Sequence, residues 1–214
     1  MALFSAGTPP AAHAQEASGW YAGAQAGWQQ IRFQPRYTFL LGGDDPTRFD
    51  NRQAGVQWDV LVGRRSVLSR GWALSIEGGV GFNRTKWELE IPDEPAALEY
   101  TMPYDVRVAI VPERRVSGRV AVFGSVGAGA GRVHEVKTSP STSLYDVART
   151  RPMLVAGGGL KVAVSTRAQL RVEYRVRQLA RFEFDSVDPA GRPVEHIEDR
   201  PRSHAISAGV TFGF

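Results

Sequence analysis

The sequence of 214 residues contains no cysteine, which excludes disulfide scaffolds, thiolate zinc sites and cysteine nucleophiles. It also lacks any apolar run near the roughly 20 residues that a membrane-spanning helix requires, so a helical membrane protein is excluded. Lysine is scarce: of the 26 basic residues only Lys86, Lys137 and Lys161 are lysines. The basic residues exceed the 22 acidic residues by four. So small and scattered an excess argues against nucleic-acid binding, which requires a clustered basic face.

The N-terminal residues have the features of a processing segment. Ala12-His13-Ala14 has the small-x-small form that precedes signal cleavage, and it follows a short apolar stretch. A basic n-region is missing, and Thr8-Pro9-Pro10 interrupts the apolar part. We therefore expect a truncated, signal-peptide-like segment at residues 1–14 and a folded domain at residues 15–214. A disordered tail of a cytoplasmic protein is the alternative.

Alternation of period two organises the rest of the chain. From Trp20 to Trp28 every second residue is Trp or Ala, and the residues between them are Tyr, Gly or Gln. This pattern indicates a β-strand with one apolar face. Similar alternation begins near residues 56, 72, 102, 119, 154, 170 and 205. No segment carries a capped stripe of period 3.6, so we expect an all-β fold of eight strands without helix.

The links between the predicted strands alternate in length. The short links are residues 64–71, 111–118 and 165–167, and the long links are residues 32–52, 84–101, 132–152 and 181–202. Short turns at one end and long loops at the other are typical of an outer-membrane barrel. We therefore predict an eight-stranded antiparallel up-and-down transmembrane β-barrel. A soluble barrel of lipocalin type, with an apolar interior, is the alternative.

Three segments resemble strands of the OmpA-like and opacity-type outer-membrane barrels. Residues 19–28 resemble the first strand of that family, residues 171–174 the seventh, and residues 208–214 the last. The resemblance is to the barrel domain only. It implies a location in the bacterial outer membrane, contact with outer-membrane lipids and lipopolysaccharide, and a monomer. In that family the barrel-assembly machinery recognises the final aromatic strand, which implies the same role for Phe214.

Charged residues on the predicted inward face form a candidate lumen network. The resemblance implies a carboxylate and a guanidinium facing each other from the third and seventh strands, here Glu77 and Arg171, with Glu173 as a competing acceptor. Isolated charges would be costly to desolvate, and an eight-stranded interior is wide enough only to be filled by side chains. We therefore expect a structural plug; a narrow porin-like channel for small solutes is the alternative. The predicted members are Asp59, Glu77, Arg107, Arg119, Lys161, Arg171, Glu173, Arg175 and Arg177.

Aromatic residues on the outward face are spaced to mark both membrane interfaces. Trp20 and Trp28 are eight residues apart, or about 26 Å along a strand at about 3.3 Å per residue. On a tilted strand they reach opposite aromatic girdles. The predicted girdle residues are Trp20, Trp28, Trp58, Trp72, Phe82, Tyr104 and Phe212.

Histidines are the remaining candidates for catalysis. His204 and Ser207 fall on opposite faces of the last strand, so they lack the arrangement that a lipid A deacylase would need. His134 and His196 lie in loops beside glutamates, as solvated polar residues commonly do. The acidic residues of the first long link lack the spacing of a calcium loop. We therefore expect no enzyme, no cofactor and no metal site.

The function expected from the sequence follows from these features together. A non-catalytic outer-membrane barrel would maintain the Gram-negative cell envelope and present its long loops to a host or matrix ligand. A porin-like channel is the second interpretation, and a lipid A-modifying enzyme is the third.

Overall fold

The computed structural model describes residues 18–40, 47–48, 50–69, 71–84, 86–90, 97–138, 145–187 and 190–214. In chain order the strands are β1 (Gly19–Phe33), β2 (Arg36–Phe39), β3 (Thr47–Arg48), β4 (Asn51–Val67), β5 (Trp72–Asn83), β6 (Lys86–Glu90), β7 (Ala97–Arg115), β8 (Val120–Thr138), β9 (Tyr145–Ala163), β10 (Ala168–Leu179), β11 (Phe182–Val187), β12 (Pro193–Asp199) and β13 (Arg202–Gly213). In the described part of the chain, no helix is long and apolar enough to span a bilayer. The predicted segment at residues 1–14 lies outside the described residues.

Eight of the strands close an antiparallel barrel. The pairing order is β5-β4-β1-β13-β10-β9-β8-β7, and β7 pairs with β5 to complete the circle. These strands coincide with the eight predicted from alternation, so the predicted fold class is confirmed. The side-chain parity also agrees, since Trp20 and Trp28 are 51% and 58% exposed while Tyr21 and Gln25 between them are buried.

Tight turns join the strands at one end of the barrel, which we call the turn end. Leu68 N donates to Trp72 O at 2.9 Å, Val116 N to Val120 O at 2.9 Å, and Val164 N to Ala168 O at 3.0 Å. Gly71 in the first of these turns has a φ of 79°, which glycine adopts without steric cost. Closing three successive hairpins in this way leaves the long connections at the opposite end.

The long connections are more regular than the sequence predicted. Strands β7, β8 and β9 each run for 19 residues, well beyond the predicted ends of the membrane-spanning strands. The first and last long links form a second sheet in the order β11-β12-β2-β3, which we call the outer sheet. Buried apolar residues in these links, such as Tyr37, Phe184 and Ile197, supply the packing that orders them.

A bulge in β7 reverses the predicted side of one residue. The β7–β8 register shifts between Thr101 and Tyr104, next to Pro103, which has no N–H for the ladder. Alternation predicts that Met102 faces outward with Tyr104, but the bulge turns it inward, where it is 1% exposed. The residues of β7 after the bulge keep the predicted parity.

Inward glycines let neighbouring strands crowd a narrow lumen. A Cβ added to Gly159 would lie 1.9 Å from the backbone oxygen of Val172 on the adjacent strand. Only a residue without a side chain therefore fits at this position.

Candidate functional site

The lumen network starts from β10, whose alternate residues Arg171, Glu173, Arg175 and Arg177 all point inward and are buried. Arg171 Nη1 donates to Glu77 Oε1 at 2.7 Å, across the barrel on β5. Its Nη2 lies 3.2 Å from Glu173 Oε2, so the two acceptors anticipated for Arg171 both contact it. Glu77 Oε1 also accepts the hydroxyl hydrogen of Tyr21 at 2.5 Å.

Asp59 on β4 joins the middle of the network. It accepts from Arg107 Nη1 at 2.8 Å and from Arg175 Nη1 at 3.1 Å. Arg175 Nη2 in turn donates to Glu173 Oε2 at 2.6 Å. Each of these carboxylates contacts at least two cations, which compensates for its removal from water.

Arg177 is 1% exposed and lies at the side of the network nearest the loop end. Its Nη1 donates to Gln29 Oε1 at 2.7 Å and to Gln57 Oε1 at 2.8 Å. Its guanidinium also lies 3.5 Å from both Asp59 and Asp105. Two amide acceptors and two carboxylates therefore surround this cation.

A separate ion group lies in the lumen near the turn end. Glu113 accepts from Lys161 Nζ at 2.8 Å and from Arg65 Nη2 at 2.6 Å. Glu113 was not among the predicted members because the sequence pattern placed it in a turn, whereas β7 continues to Arg115. Alternation carried beyond Ile110 would have placed Glu113 inward.

The buried members of the two ion groups balance in charge. The prediction that Arg119 belongs to the lumen network is wrong. Arg119 lies in the turn before β8 and is exposed to solvent. Asp105, which has inward parity, and Glu113 take part instead. The two ion groups therefore hold equal numbers of buried bases and acids, and two further buried acids, Glu135 and Asp199, lie at the loop end. The ten members are Arg107, Lys161, Arg171, Arg175 and Arg177 with Asp59, Glu77, Asp105, Glu113 and Glu173.

An apolar layer, absent from the sequence interpretation, lies above the charges at the loop end of the lumen. Leu179 continues the inward row of β10 into this layer, and Phe33 packs on Tyr100 with ring centroids 4.9 Å apart. The sequence signal for this layer was a set of apolar residues with inward parity at the loop ends of the strands. These segments were expected to be loops. The layer comprises Ile31, Phe33, Tyr37, Tyr100, Met102, Val133, Met153, Val155, Leu179, Phe184 and Ile197.

Cavities in the lumen are small where the charges meet. The space bounded by Glu77, Arg107 and Glu173 measures about 10 Å³, about the size of a single water site. At the turn end, a wider cavity of about 240 Å³ is lined by residues that include Tyr21, Lys161 and Thr211. The lumen is thus open at its turn-end mouth and filled further inward.

Outward aromatics lie in two belts at the two ends of the barrel. Trp20, Trp72 and Phe212 lie near the turns, as shown by the pairing of Trp20 with Arg64 and of Trp72 with Arg114. The second belt lies toward the loops and consists of Trp28, Trp58, Phe82 and Tyr104, with the Trp58 and Phe82 rings stacked at 4.3 Å. Two separated aromatic belts are typical of both interfaces of a membrane barrel.

The histidines occupy three different surroundings. His204 Nδ1 lies 2.6 Å from the hydroxyl of Tyr174 on the outward face, while Ser207 is buried on the inward face. His134 Nε2 lies 2.6 Å from Asp146 Oδ1. His196 belongs to the outer sheet, where Nδ1 lies 2.7 Å from Asp185 Oδ1.

Asp199, at the end of β12, ties the outer sheet to the barrel. Its Oδ1 accepts from the backbone N–H of Gln34 at 3.0 Å and from that of Arg200 at 2.6 Å. Burial raises the pKa of Asp199 to about 7, in opposition to these two hydrogen bonds. The carboxyl group therefore titrates near neutral pH.

The chain matches a family model over its whole length. The model describes an outer membrane protein beta-barrel domain and aligns with residues 1–214. No curated protein sequence matches at a significant level.

Solved structures with similar folds are outer-membrane proteins. The outer membrane protease OmpT from Escherichia coli has a TM-score of 0.58 and 10% identity, with 94% of this chain and 98% of that chain covered. Neisserial surface protein A has a TM-score of 0.48 and 16% identity, with coverage of 93% and 100%. OprG from Pseudomonas aeruginosa has a TM-score of 0.47 and 8% identity, with coverage of 94% and 98%.

Proposed function

This chain belongs to the outer membrane protein beta-barrel domain family and is located in the bacterial outer membrane, and on that premise we propose that it is a sealed, non-catalytic barrel that carries the outer sheet at the cell surface. The observation that supports this function best is the filling of the lumen. A neutral ion network occupies the membrane span, and an apolar layer covers it at the loop end.

Sealing follows from the close contacts inside the lumen. Ions would have to pass the Glu77–Arg171 contact of 2.7 Å and then the layer that contains Phe33, Tyr100 and Leu179. An apolar constriction opposes ion passage. The wider cavity at the turn end therefore leads to a closed section.

Planar-bilayer recording tests whether the barrel is sealed. The wild-type protein is expected to remain closed, because the ion network and the apolar layer act in series. Glu77→Ala, in which Arg171 loses one of its two carboxylates, should also remain closed, because the apolar layer at the loop end is intact. Arg119→Ala, in the exposed turn, is the matched control and should remain closed. Stable, ion-selective steps in the wild type would instead establish the porin-like channel.

The outer sheet is the proposed binding surface for a host or matrix ligand. It projects from the loop end, which faces the cell exterior in barrels of this kind, and its core of Tyr37, Phe184 and Ile197 gives it a fixed shape. Cells that express a variant with residues 182–199 replaced by a short turn should lose adhesion to matrix-coated surfaces while the barrel remains folded. Adhesion equal to that of the wild type would refute this role.

The absence of catalysis is tested on the membrane itself. Lipid A from cells with and without the protein should have the same mass spectrum, because His204 faces outward while Ser207 is buried inward. A mass change equal to the loss or gain of an acyl chain would identify a lipid-modifying enzyme.

We assign the remaining partners by position. Outer-membrane lipids and lipopolysaccharide surround the belts that contain Trp20 and Trp28, and the chain acts as a monomer. Phe214 is exposed beyond β13, and its backbone N–H donates to Trp20 O at 2.9 Å. This exposed terminal aromatic is the proposed signal for the barrel-assembly machinery.

A further inference from the structure

Four polar side chains form a block on one face of the β11–β12 hairpin. In the antiparallel register, Glu183 is directly opposite Glu198, and Asp185 is directly opposite His196. Residues two apart on a strand share a face, so all four side chains project from the same side of the outer sheet. Two glutamates directly opposite each other are unfavourable without a cation, and in this structure the guanidinium of Arg181 contacts both of them.

The other face of the hairpin holds this block in place. Phe184 and Ile197 are buried in the apolar layer. On the neighbouring β9, Arg149 lies 5.7 Å from the ring of Phe184 and donates from Nη1 to Glu183 O at 3.1 Å. The backbone that carries the four polar side chains is therefore anchored to the barrel.

The orientation of His196 is that of a metal ligand. Its Nδ1 lies 2.7 Å from Asp185 Oδ1, and because an ionised carboxylate only accepts hydrogen bonds, Nδ1 carries the proton. In the neutral ring, Nε2 then has a free lone pair. A carboxylate on one ring nitrogen is how proteins fix a histidine that binds a metal through the other.

The free nitrogen faces a carboxylate across a gap that fits a cation. Nε2 of His196 is 3.8 Å from Oε1 of Glu198, and both atoms are electron-rich in the neutral form of the ring. Zinc binds nitrogen and oxygen at about 2.0–2.2 Å, so one ion between these atoms contacts both. The ligand atoms of Glu183, His196 and Glu198 lie within 4.8 Å of one another, which brings a third ligand within reach.

We propose that Glu183, His196 and Glu198 form a surface binding site for a divalent transition-metal ion of the zinc class, with Asp185 as the residue that positions His196. One imidazole and two carboxylates suit zinc and leave a fourth position for water. The site is independent of the sealed-barrel function. The sequence predicted no metal because Glu195, the neighbour of His196 in the chain, has the opposite parity, and because Glu183 comes from the other strand of the hairpin, β11.

Arg181 competes with the metal for the same carboxylates. Its Nε lies 3.0 Å from Glu183 Oε1, and its Nη2 contacts Glu198. Arg36 is opposite Glu198 on β2 and adds a second cation beside the site. Arg181 is 54% exposed, so its guanidinium is free to move into solvent when a metal binds. Removing Arg181 should therefore strengthen metal binding.

Zinc titration of the untagged full chain, refolded in detergent and treated with chelator, tests the proposal. Isothermal calorimetry should show one saturable site in the wild type. His196→Gln should lose this binding, and Asp185→Asn should weaken it by about 10–100-fold, the usual effect of removing a carboxylate behind a metal-ligating histidine. Arg181→Gln should bind more tightly than the wild type.

The matched control is His134→Gln, because His134 pairs with Asp146 at 2.6 Å as His196 pairs with Asp185. This variant should bind zinc like the wild type. The gel shift between boiled and unboiled samples verifies that each variant is folded, and Glu198→Gln replaces His196→Gln if the latter does not fold. No saturable binding in the wild type, unchanged binding in His196→Gln, or weaker binding in Arg181→Gln would overturn the proposal.

Discussion

Replacing Glu77 with glutamine removes the charge that connects β5 to β10 across the lumen. Glu77 accepts from Arg171 at 2.7 Å and from the Tyr21 hydroxyl at 2.5 Å. The amide introduced by Glu77→Gln would remain large enough to fill the space but would leave Arg171 with Glu173 as its nearest carboxylate, at 3.2 Å. The perturbation is therefore electrostatic, with little change in volume.

The expected loss of stability is set by the burial of Arg171, which is 2% exposed. Removing one partner of a buried ion pair typically costs about 3–5 kcal/mol. Because Arg171 keeps Glu173, we expect a value near the lower end, about 3 kcal/mol. The double variant Glu77→Gln/Arg171→Gln should lose less than the sum of the two single variants, with a coupling energy of about 1–3 kcal/mol.

Urea unfolding in lipid vesicles, followed by tryptophan fluorescence, measures these free energies. Arg119→Gln provides the control, and a change within about 0.5 kcal/mol is expected for this exposed residue. If Glu77→Gln is as stable as the control, or if the two lumen substitutions are additive, the pair does not stabilise the barrel in the way described.

Three further substitutions test other parts of the structure. A Cβ on Gly159 would lie 1.9 Å from Val172 O, whereas a Cβ on Gly78 would meet nothing within 4 Å. Gly159→Ala should therefore reduce the yield of SDS-resistant barrel, and the control Gly78→Ala should not. Equal yields would contradict the argument that the strands crowd at Gly159. Burial raises the pKa of Asp199 to about 7, above its unfolded value of about 3.9. The folded chain therefore retains a proton that the unfolded chain has lost, and this stabilisation is full below about pH 4 and disappears as the pH rises through about 7. Pulse proteolysis in urea should show a weaker outer sheet at about pH 8 than at about pH 5.5, with a smaller difference in Asp199→Asn; the same difference in both proteins would exclude Asp199 as its source. Phe214→Ala should lower insertion in cells but not refolding into vesicles, and a parallel loss in both assays would point to a structural role instead.

The barrel was predictable from the sequence because membrane strands have one dominant constraint. Lipid accepts only apolar side chains, so alternation persists along each strand and can be read residue by residue. The parity of Glu77 and Arg171 followed directly, and the structure places their charged groups 2.7 Å apart. Parity fails where pairing becomes irregular, as at Met102, where the bulge beside Pro103 reverses the side of the strand.

The ends of the strands were less predictable for a related reason. Beyond the lipid, both faces of a strand meet water or protein, so polar and apolar residues no longer alternate cleanly. Arg119 was therefore assigned to a strand that begins one residue later, and Glu113 to a turn that β7 passes through. The block around His196 depends on register between β11 and β12, which no spacing within one segment reveals.

The charged lumen has a consequence for strand register that differs from its effect on stability. A slip of one residue moves every inward side chain of a strand to the lipid face. On β10 this would transfer Arg171, Arg175 and Arg177 into the apolar band, at about 2–4 kcal/mol for each arginine near the midplane. The slip would also take from Glu77 the arginine that it contacts and leave Asp59 with Arg107 as its remaining cationic contact. An apolar lumen of equal volume would impose no such cost, because apolar side chains are tolerated on either face. The buried charges therefore select one register even though replacing a buried ion pair by apolar residues is often neutral for stability.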